Sequence, residues 1–407
     1  MREYTEKPPP NESDMTNSAT NEQAKHNTVA SASLLLAVVA LIFSPVARSP
    51  SVWVLLGMTL LVLWQWRPAF IAQARALRPI ALPLLAGLII SLALSAYPWQ
   101  GGTVFRDIIK ALLVAITVAV VAQHAQWHWL KQGIATLCGL FAAMALVLYN
   151  APALHASAVH WLNSIENMNL WGSAFALLLS ISLAVACCSR PIVAAGIVLA
   201  VVINFAWLSL YYPSRGALLA VLCVAGLLVL LRYTRLPLSW LFGLTVAAFF
   251  IGSLAVFILQ AGDWMSDAKI NAISSNRLPI YDTIWHLWQQ APWFGWGLKA
   301  FKSHAAVDIA AVMRGAQFTA PHNVLLEMLY SLGIIGTILV LTSLGRITWQ
   351  AFSAARSRTH ALPGLVAAAL LVTLLLHGTT DLSIYRPYFW LLVFSAWGLA
   401  QGWKKPI

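Results

Sequence analysis

Charged residues are scarce in this chain. Asp, Glu, Lys and Arg make up 9% of its 407 residues, whereas hydrophobic residues make up 60%, and the mean hydropathy is +0.76. A soluble globular domain needs a polar shell that this composition cannot supply. The sequence therefore predicts an all-α polytopic membrane protein.

Acidic residues are the rarer of the two charge types. The chain has 13 Asp and Glu against 25 Lys and Arg, which gives a formal net charge of +12. A nucleic-acid-binding protein would gather its basic residues on one face or in one tail. Here they flank the apolar segments, as membrane topology requires. We therefore expect no nucleic-acid partner and assign the basic excess to topology.

Cysteines and familiar catalytic motifs are also few. The four cysteines lie in apolar segments without a His partner or a Cys-x-x-Cys pair, so we expect neither a disulfide framework nor a metal site. The sequence has no P-loop, Asp-x-Asp pair, His-Glu-x-x-His or Gly-x-Ser-x-Gly. These absences disfavour nucleotide hydrolysis, metal-dependent transfer from nucleotide sugars, zinc proteolysis and serine hydrolysis. We expect no cofactor and favour a lipid-linked donor.

What the chain does contain is about twelve apolar segments, each long enough to cross roughly 30 Å of hydrocarbon. They cover residues 30–47, 51–66, 80–97, 106–123, 129–148, 169–188, 191–211, 216–232, 237–259, 322–345, 361–377 and 384–402. Residues 1–29 are polar and do not show the basic-then-apolar pattern of a cleaved signal peptide. We expect them to form a disordered cytoplasmic tail, and residues 30–407 to form a single transmembrane domain.

The basic residues also predict the orientation of the chain. With both ends in the cytoplasm, fifteen of the 25 Lys and Arg residues fall on the cytoplasmic side. Five of the other ten lie in one long loop, to which the charge rule does not apply. This loop, residues 260–321 between the ninth and tenth segments, is expected to face the periplasm. Within it, residues 277–290 have the spacing of an amphipathic helix that would lie along the membrane surface.

Two arginines on the outer side, Arg215 and Arg277, begin predicted helices. Such a side chain can simply reach lipid phosphate or pair with an acid. However, the N-terminus of a helix also attracts anions, and a guanidinium group binds phosphate oxygens through two hydrogen bonds. Together the two arginines predict a pyrophosphate-binding site.

His322 follows Pro321 at the start of the tenth segment. The positive end of the helix dipole disfavours an imidazolium there and leaves a neutral ring that can accept a proton, although a bound pyrophosphate would act in the opposite direction. We predict that His322 deprotonates a sugar hydroxyl; the alternative is a histidine that only packs or contacts headgroups. Asn323 and Glu327 could orient its ring.

Asp381 lies near the outer end of the last two segments, five residues before a third outer arginine, Arg386. An unpaired carboxylate in that position would be costly. We therefore expect Asp381 to pair with a buried arginine and to support the pocket rather than to catalyse.

The order and placement of these motifs resemble the bacterial O-antigen ligase family, within a group that also holds O-antigen polymerases and protein O-oligosaccharyltransferases. The resemblance is carried by Ser214-Arg215-Gly216, Asn276-Arg277-Leu278-Pro279, Trp293-Phe294-Gly295-Trp296-Gly297, Pro321-His322-Asn323 and Leu332-Gly333-Ile334-Ile335-Gly336.

The resemblance implies a GT-C-like glycosyltransferase in the bacterial inner membrane, metal-independent and inverting, with its site facing the periplasm. Its partners would be O-antigen linked to undecaprenyl pyrophosphate, the lipid A-core oligosaccharide and membrane lipids. By match of motif, Arg215 and Arg277 would bind the pyrophosphate and His322 would activate the acceptor hydroxyl. Asp381 and Arg386 would correspond to an acid and an arginine near the last helix.

Other functions remain open at this point. An O-antigen polymerase would use the same donor and extend another lipid-linked glycan. A protein O-oligosaccharyltransferase is disfavoured because the chain ends four residues after Trp403, so we expect no soluble C-terminal domain. A transporter or flippase would need polar residues at mid-membrane or an inverted repeat, and the sequence shows neither.

Overall fold

The structure of the protein is a computed structural model. It describes residues 12–403 apart from 166–167, 212–213, 263–265, 267, 271–273, 275–276, 306–319 and 358–360, and for residues 12–22 it describes the backbone only. Helices account for nearly all of this part of the chain, and no strand occurs in it. The all-α prediction is therefore confirmed.

Fourteen helices of 13 residues or more lie in the described ranges. They are α1 (Glu12–Phe43), α2 (Arg48–Gln65), α3 (Arg67–Leu94), α4 (Gly102–His124), α5 (Trp127–Asn150), α6 (Pro152–Ile165), α7 (Met168–Ala186), α8 (Pro191–Tyr211), α9 (Arg215–Tyr233), α10 (Leu238–Ala261), α11 (Leu278–Gln290), α12 (Val324–Ala355), α13 (Ala361–Gly378) and α14 (Pro387–Ala400). Each predicted apolar segment coincides with one of them. The two additional helices are α6, between α5 and α7, and α11, in the long loop.

Nine of the described helices are long and apolar enough to cross a membrane, so the chain is a multi-pass membrane protein. The other three predicted segments correspond to α2, α4 and α14. The apolar stretches of α2 and α14 are shorter, and the first turns of α4 contain Arg106, Asp107 and Lys110. The total of twelve spans therefore stays a prediction.

The N-terminal part differs from our expectation. We predicted a disordered tail up to residue 29, whereas α1 begins at Glu12. No proline interrupts the chain between Glu12 and Phe43. The Ala, Glu, Gln and Lys residues of its polar half favour helix, so a helix nucleated in the apolar half extends back through them. Residues 1–11 lie outside the described part.

The centre of the bundle is formed by α13 and α14. Every residue of α13 except Leu376 is buried, and so is every residue of α14 after Pro387. These two helices pack against α4, α7, α9 and α12. The outer helices, in contrast, expose large apolar side chains such as Leu199, Leu244 and Ile251. An apolar belt of this kind suits a hydrocarbon environment.

The long helix α12 is kinked at Gly333, where φ is 64° and ψ is −172°. This backbone conformation is essentially restricted to glycine. The kink leaves the carbonyls of Tyr330 and Ser331 available to partners outside the helix, and they accept hydrogen bonds from the N–H groups of Trp296 and Gly297 at 2.8 and 3.0 Å. The loop after α11 therefore docks on the kink through its backbone.

The amphipathic helix predicted in the long loop is present as α11, with Arg277 as its N-cap residue. Its buried residues are Leu278, Ile280, Tyr281, Ile284 and Leu287. All of these except Leu278 pack with Phe301, Leu326 and Tyr330, so α11 is attached to the N-terminal part of α12. Trp285 and Trp288 of the same helix are only half-buried.

Candidate functional site

The centre of the candidate site is the carboxylate of Asp381, in the connection between α13 and α14. Its Oδ1 atom accepts hydrogen bonds from Nη2 of Arg277 at 2.9 Å and from Nδ1 of His322 at 3.0 Å. Arg277 also donates to the carbonyl of Thr380 through Nη1. Three side chains that are distant in sequence therefore meet around one oxygen atom.

The surroundings of Asp381 keep its carboxylate ionised. Burial by itself raises the pKa of this group, but the hydrogen bond from His322 and the positive charge of Arg277 outweigh burial, so the pKa lies below its ordinary value. An ionised carboxylate can only accept hydrogen bonds. The Nδ1 atom of His322 therefore carries the hydrogen of their shared bond.

His322 does not occupy the first turn of a helix, where we expected it. It precedes α12 by two residues and has a left-handed backbone with φ of 59°. The helix starts later because Asn323 is its N-cap residue. The side chain of His322 is 29% exposed.

Asn323 has a structural function that explains this boundary. Its Oδ1 atom accepts hydrogen bonds from the N–H groups of Leu325 and Leu326 at 3.1 and 3.2 Å, as an N-cap side chain does. Its Nδ2 atom donates to the carbonyl of Ser253 in α10 at 2.8 Å. Asn323 therefore ties α12 to α10, and the ring of His322 is oriented by Asp381 instead.

Glu327 also acts on the backbone rather than on the histidine. It is fully buried, and its two oxygen atoms accept hydrogen bonds from Oγ of Ser383 and from N–H of Ile384, both at 2.6 Å. These bonds fix the connection that contains Asp381. The ring-orienting role that we considered for Glu327 is therefore wrong.

Arg215 and Arg277 line the same cavity, which has a volume of about 550 Å³ and also includes Asp381. Arg215 is the first residue of α9, after the N-cap residue Ser214. The next residue, Gly216, packs so closely on Thr380 that an added Cβ atom would collide with its hydroxyl. The glycine therefore allows α9 to bring Arg215 beside the connection that contains Asp381.

Several other side chains in this arginine cavity were not singled out by the sequence as site residues. They are Asn169, Ser214, Ser274, Tyr281, Thr379 and Thr380. Burial raises the pKa of Tyr281 to about 12, so its hydroxyl stays protonated at neutral pH. Its position four residues after Arg277 at the start of α11 is the one signal that could have indicated it.

Arg386 lies apart from this cluster. It is the N-cap residue of α14 and lines a second cavity of about 830 Å³ together with Lys299. The resemblance implied that Arg386 is a supporting residue near Asp381. In the described part of the chain, no contact between the two side chains supports this role.

The arginine cavity contains two guanidinium groups and the carboxylate of Asp381, which also holds the ring of His322. Such an arrangement can stabilise negative charge on a leaving group and accept a proton close to it. Among the residues that the structure describes, no three His, Cys, Asp or Glu side chains form a group that could hold a metal ion.

The fold and the site together define a polytopic all-α membrane protein with a cationic cavity at one end of its helix bundle. The sequence model of the family described as O-antigen ligase matches residues 200–341. This match confirms the resemblance to the O-antigen ligase family over that segment. Arg215, Arg277 and His322 lie inside the matched segment, whereas Asp381 and Arg386 follow it. A search of curated proteins finds no match for the chain.

Proposed function

We propose that the protein is an O-antigen ligase, which transfers O-antigen polysaccharide from undecaprenyl pyrophosphate to the lipid A-core oligosaccharide. The family match supports a glycosyltransferase-like enzyme that acts on lipid-linked polysaccharide. The proposal adds the particular donor, the particular acceptor and an inverting reaction without a metal ion.

The observation that carries this proposal is the shared Oδ1 atom of Asp381. This oxygen is 2.9 Å from Nη2 of Arg277, which lines the arginine cavity, and 3.0 Å from Nδ1 of His322, the candidate base. A pyrophosphate between Arg215 and Arg277 would therefore place its sugar-bearing end close to His322. Proximity of leaving group and base is what a direct displacement at a sugar carbon requires.

In the proposed reaction, the acceptor hydroxyl oxygen forms a bond to the anomeric carbon of the donor sugar. The bond from that carbon to the pyrophosphate oxygen breaks, and its electron pair leaves with the pyrophosphate, where Arg215 and Arg277 stabilise the charge. Because Nδ1 of His322 donates to Asp381, the lone pair of the neutral ring is on Nε2. That atom takes the proton of the hydroxyl group.

An apolar groove supports a donor with a long hydrocarbon chain. It has a volume of about 640 Å³ and runs between α10 and α12, lined by residues such as Phe242, Phe249 and Ile338. The same helix α10 continues into the arginine cavity through Gly252 and Ser253. A polyprenyl chain in this groove would lead its pyrophosphate towards the two arginines.

We further propose that the site faces the periplasm from the inner membrane. In this topology residues 30–407 form one domain with twelve spans, the N-terminal 29 residues lie in the cytoplasm, and the loop of residues 260–321 is periplasmic. The starts of α9, α12 and α14 and the end of α13 all contribute to the site or its walls. Alternating spans would bring these helix ends to one side of the membrane.

The test is transfer by purified protein from undecaprenyl-pyrophosphate-linked O-antigen to lipid A-core in the presence of a chelator. Native protein is compared with Arg277→Ala and with His322→Asn, which suits the left-handed backbone at this position but provides no base. The matched control is Arg106→Ala, which removes an arginine that is 64% exposed. We expect native protein and the control to ligate equally. The two site variants should lose about 100-fold in rate or more, as expected for lost charge stabilisation or proton transfer.

Each other outcome changes a different part of the proposal. If native protein lengthens the lipid-linked glycan and leaves the core unmodified, the protein is an O-antigen polymerase. Full activity of His322→Asn would remove the base from the mechanism, and activity that disappears with the chelator would contradict a metal-independent reaction.

A further inference from the structure

A second basic cavity lies at the same end of the bundle as the arginine cavity. Its volume is about 830 Å³, and its polar lining includes Gln100, Thr103, Lys299, Ser303 and Arg386. None of the described residues that line it is acidic. Nothing in the mechanism above uses this cavity.

The second cavity is lined by residues that lie close in sequence to His322 and to Asp381. One of its lining residues, Ala320, is two positions before His322, and another, Ser383, is two positions after Asp381. The arginine cavity, in contrast, includes Asp381 itself and the residues just before it. The connection between α13 and α14 thus contributes residues to both cavities. A molecule in the second cavity would therefore lie beside the chain segments that contain His322 and Asp381.

The positive charges of the second cavity are not neutralised by its lining. Within the described part of the chain, the guanidinium group of Arg386 makes no hydrogen bond or ion pair. The ammonium group of Lys299 donates to the neutral hydroxyl of Thr103 at 2.5 Å. Glu327 lies within the electrostatic influence of Arg386, but it is fully buried and its two oxygens are bound by the connection.

The walls that hold these charges are fixed by hydrogen bonds. Ser303 donates to Oε1 of Gln100 at 2.9 Å, which leaves the amide N–H groups of Gln100 as possible donors. The hydroxyl groups of Tyr385 and Ser331 are 2.5 Å apart, and burial raises the pKa of Tyr385 well above its ordinary value, so this phenol is neutral. A cavity with two cations, neutral donors and a fixed frame is suited to an anion.

We propose that this cavity binds an anionic group, a phosphate or carboxylate, on the acceptor glycan. The inference rests on the proposed glycosyl transfer, because it assigns the acceptor side of that reaction. Arg386 presents the two-pronged geometry that a phosphate or carboxylate takes, and Lys299 adds a second point charge. The acceptor is then recognised by a negative charge close to the hydroxyl group that reacts.

The test compares lipid A-core with the same acceptor after enzymatic removal of its core phosphates. Transfer is measured with native protein, Arg386→Gln, Lys299→Gln and the exposed control Arg106→Gln, with KM determined separately for donor and acceptor. For the phosphorylated acceptor, we expect each cavity variant to raise KM about tenfold, the loss of one charge-assisted contact. The donor KM should stay unchanged, and the dephosphorylated acceptor should bind weakly to every form of the protein. A cavity variant that changes the KM of both acceptors equally, or the donor KM, would overturn the proposal.

A phosphate group could also come from a membrane lipid. The same assay is therefore run in vesicles of phosphatidylcholine alone and in vesicles that contain phosphatidylglycerol. If the effect of Arg386→Gln requires phosphatidylglycerol and is independent of the acceptor phosphates, the cavity binds a lipid headgroup and the proposal is wrong.

Binding without turnover separates this inference from the proposed function. Soluble core oligosaccharide, with and without its phosphates, is titrated into native protein and into Arg386→Gln. Phosphate-dependent binding that Arg386→Gln weakens supports the anion site even if the native protein forms no ligated product. Equal binding of both oligosaccharides to the native protein would refute the anion site, whether or not transfer occurs.

Discussion

The two basic cavities each contain two cationic side chains, but they hold them differently. In the arginine cavity, Arg277 is bound by Asp381, a carboxylate that belongs to the same lining. In the second cavity, Lys299 and Arg386 share a described lining without any acid. The difference shows that a basic cavity can use its charges in two ways.

A cation that is paired with a carboxylate is held in a fixed position, whereas a cation without an acidic partner attracts an anionic ligand. The carboxylate of Asp381 reduces the net charge of the arginine cavity but fixes the guanidinium group and the histidine ring relative to each other. The second cavity has no acid in its described lining and can therefore select an anion. The first arrangement suits a reacting centre, and the second suits recognition of the acceptor.

Removal of Asp381 should break this comparison most strongly. Asp381→Ala leaves Arg277, only 16% exposed, without its carboxylate, and a broken buried pair costs about 3–5 kcal/mol of unfolding free energy. The matched control is Asp107→Ala, because Asp107 also pairs with two cations, of which Arg106 is 64% exposed. We expect a loss there of about 0–1 kcal/mol. Chemical unfolding in detergent measures both values, and equal losses would show that Asp381 is not a buried structural partner.

A substitution at the kink of α12 should affect the second cavity more than the arginine cavity. Gly333→Ala forces an alanine into a glycine conformation, which costs about 1–3 kcal/mol, and its Cβ atom would also collide with the backbone of Trp293. The displaced loop leads directly into Lys299, so acceptor KM should rise more than donor KM.

The control for the kink is Gly345→Ala in the same helix. There the nearest outside atom to an added Cβ is Cζ of Phe242 at 3.6 Å, an ordinary contact. Because alanine favours helix over glycine by about 1 kcal/mol, this variant should be as stable as the native protein or more so. If Gly333→Ala and Gly345→Ala unfold alike, the docking function of the kink is wrong.

The helix cap beside His322 should have a smaller effect. Asn323→Ala removes the cap of α12 and should cost about 0.5–2 kcal/mol of unfolding free energy. Asn323→Ser retains a capping oxygen but not the donor to Ser253, so it should recover part of the loss. Thermal unfolding ranks the three proteins, and a serine variant less stable than the alanine variant would contradict the capping function.

Low pH should protonate Asp381, so that neither cavity has an ionised acid in its described lining. We expect this change to have the smallest effect on stability. The pKa of Asp381 is lower in the folded protein than its ordinary value, so its pairing stabilises the fold fully above the unfolded pKa of about 3.9. This contribution is lost as the pH falls through the lower folded pKa. The difference in thermal stability between native protein and Asp381→Asn should therefore be constant near neutral pH and shrink below about pH 4. A difference that grows in acid would reverse the assigned shift.

Hydropathy predicted most of the helices because membrane insertion selects local apolar length. The errors have local physical causes. α1 extends to Glu12 through polar residues that favour helix, and α12 begins at Val324 because the side chain of Asn323 satisfies its first N–H groups. Capping geometry depends on a side-chain rotamer, which a window of mean hydropathy does not register.

By itself, the sequence determined the all-α membrane class, the amphipathic helix of the long loop and the residue types able to bind phosphate or accept a proton. These properties follow from composition and from spacing within a single segment. Only the tertiary structure decided that Asp381 joins Arg277, 104 positions away, and His322, 59 positions away, whereas Arg386 belongs to another cavity. Such pairings arise from the packing of helices that are remote in the chain. The close approach of Gly216 to Thr380, which brings Arg215 beside the connection that contains Asp381, has no local signal either.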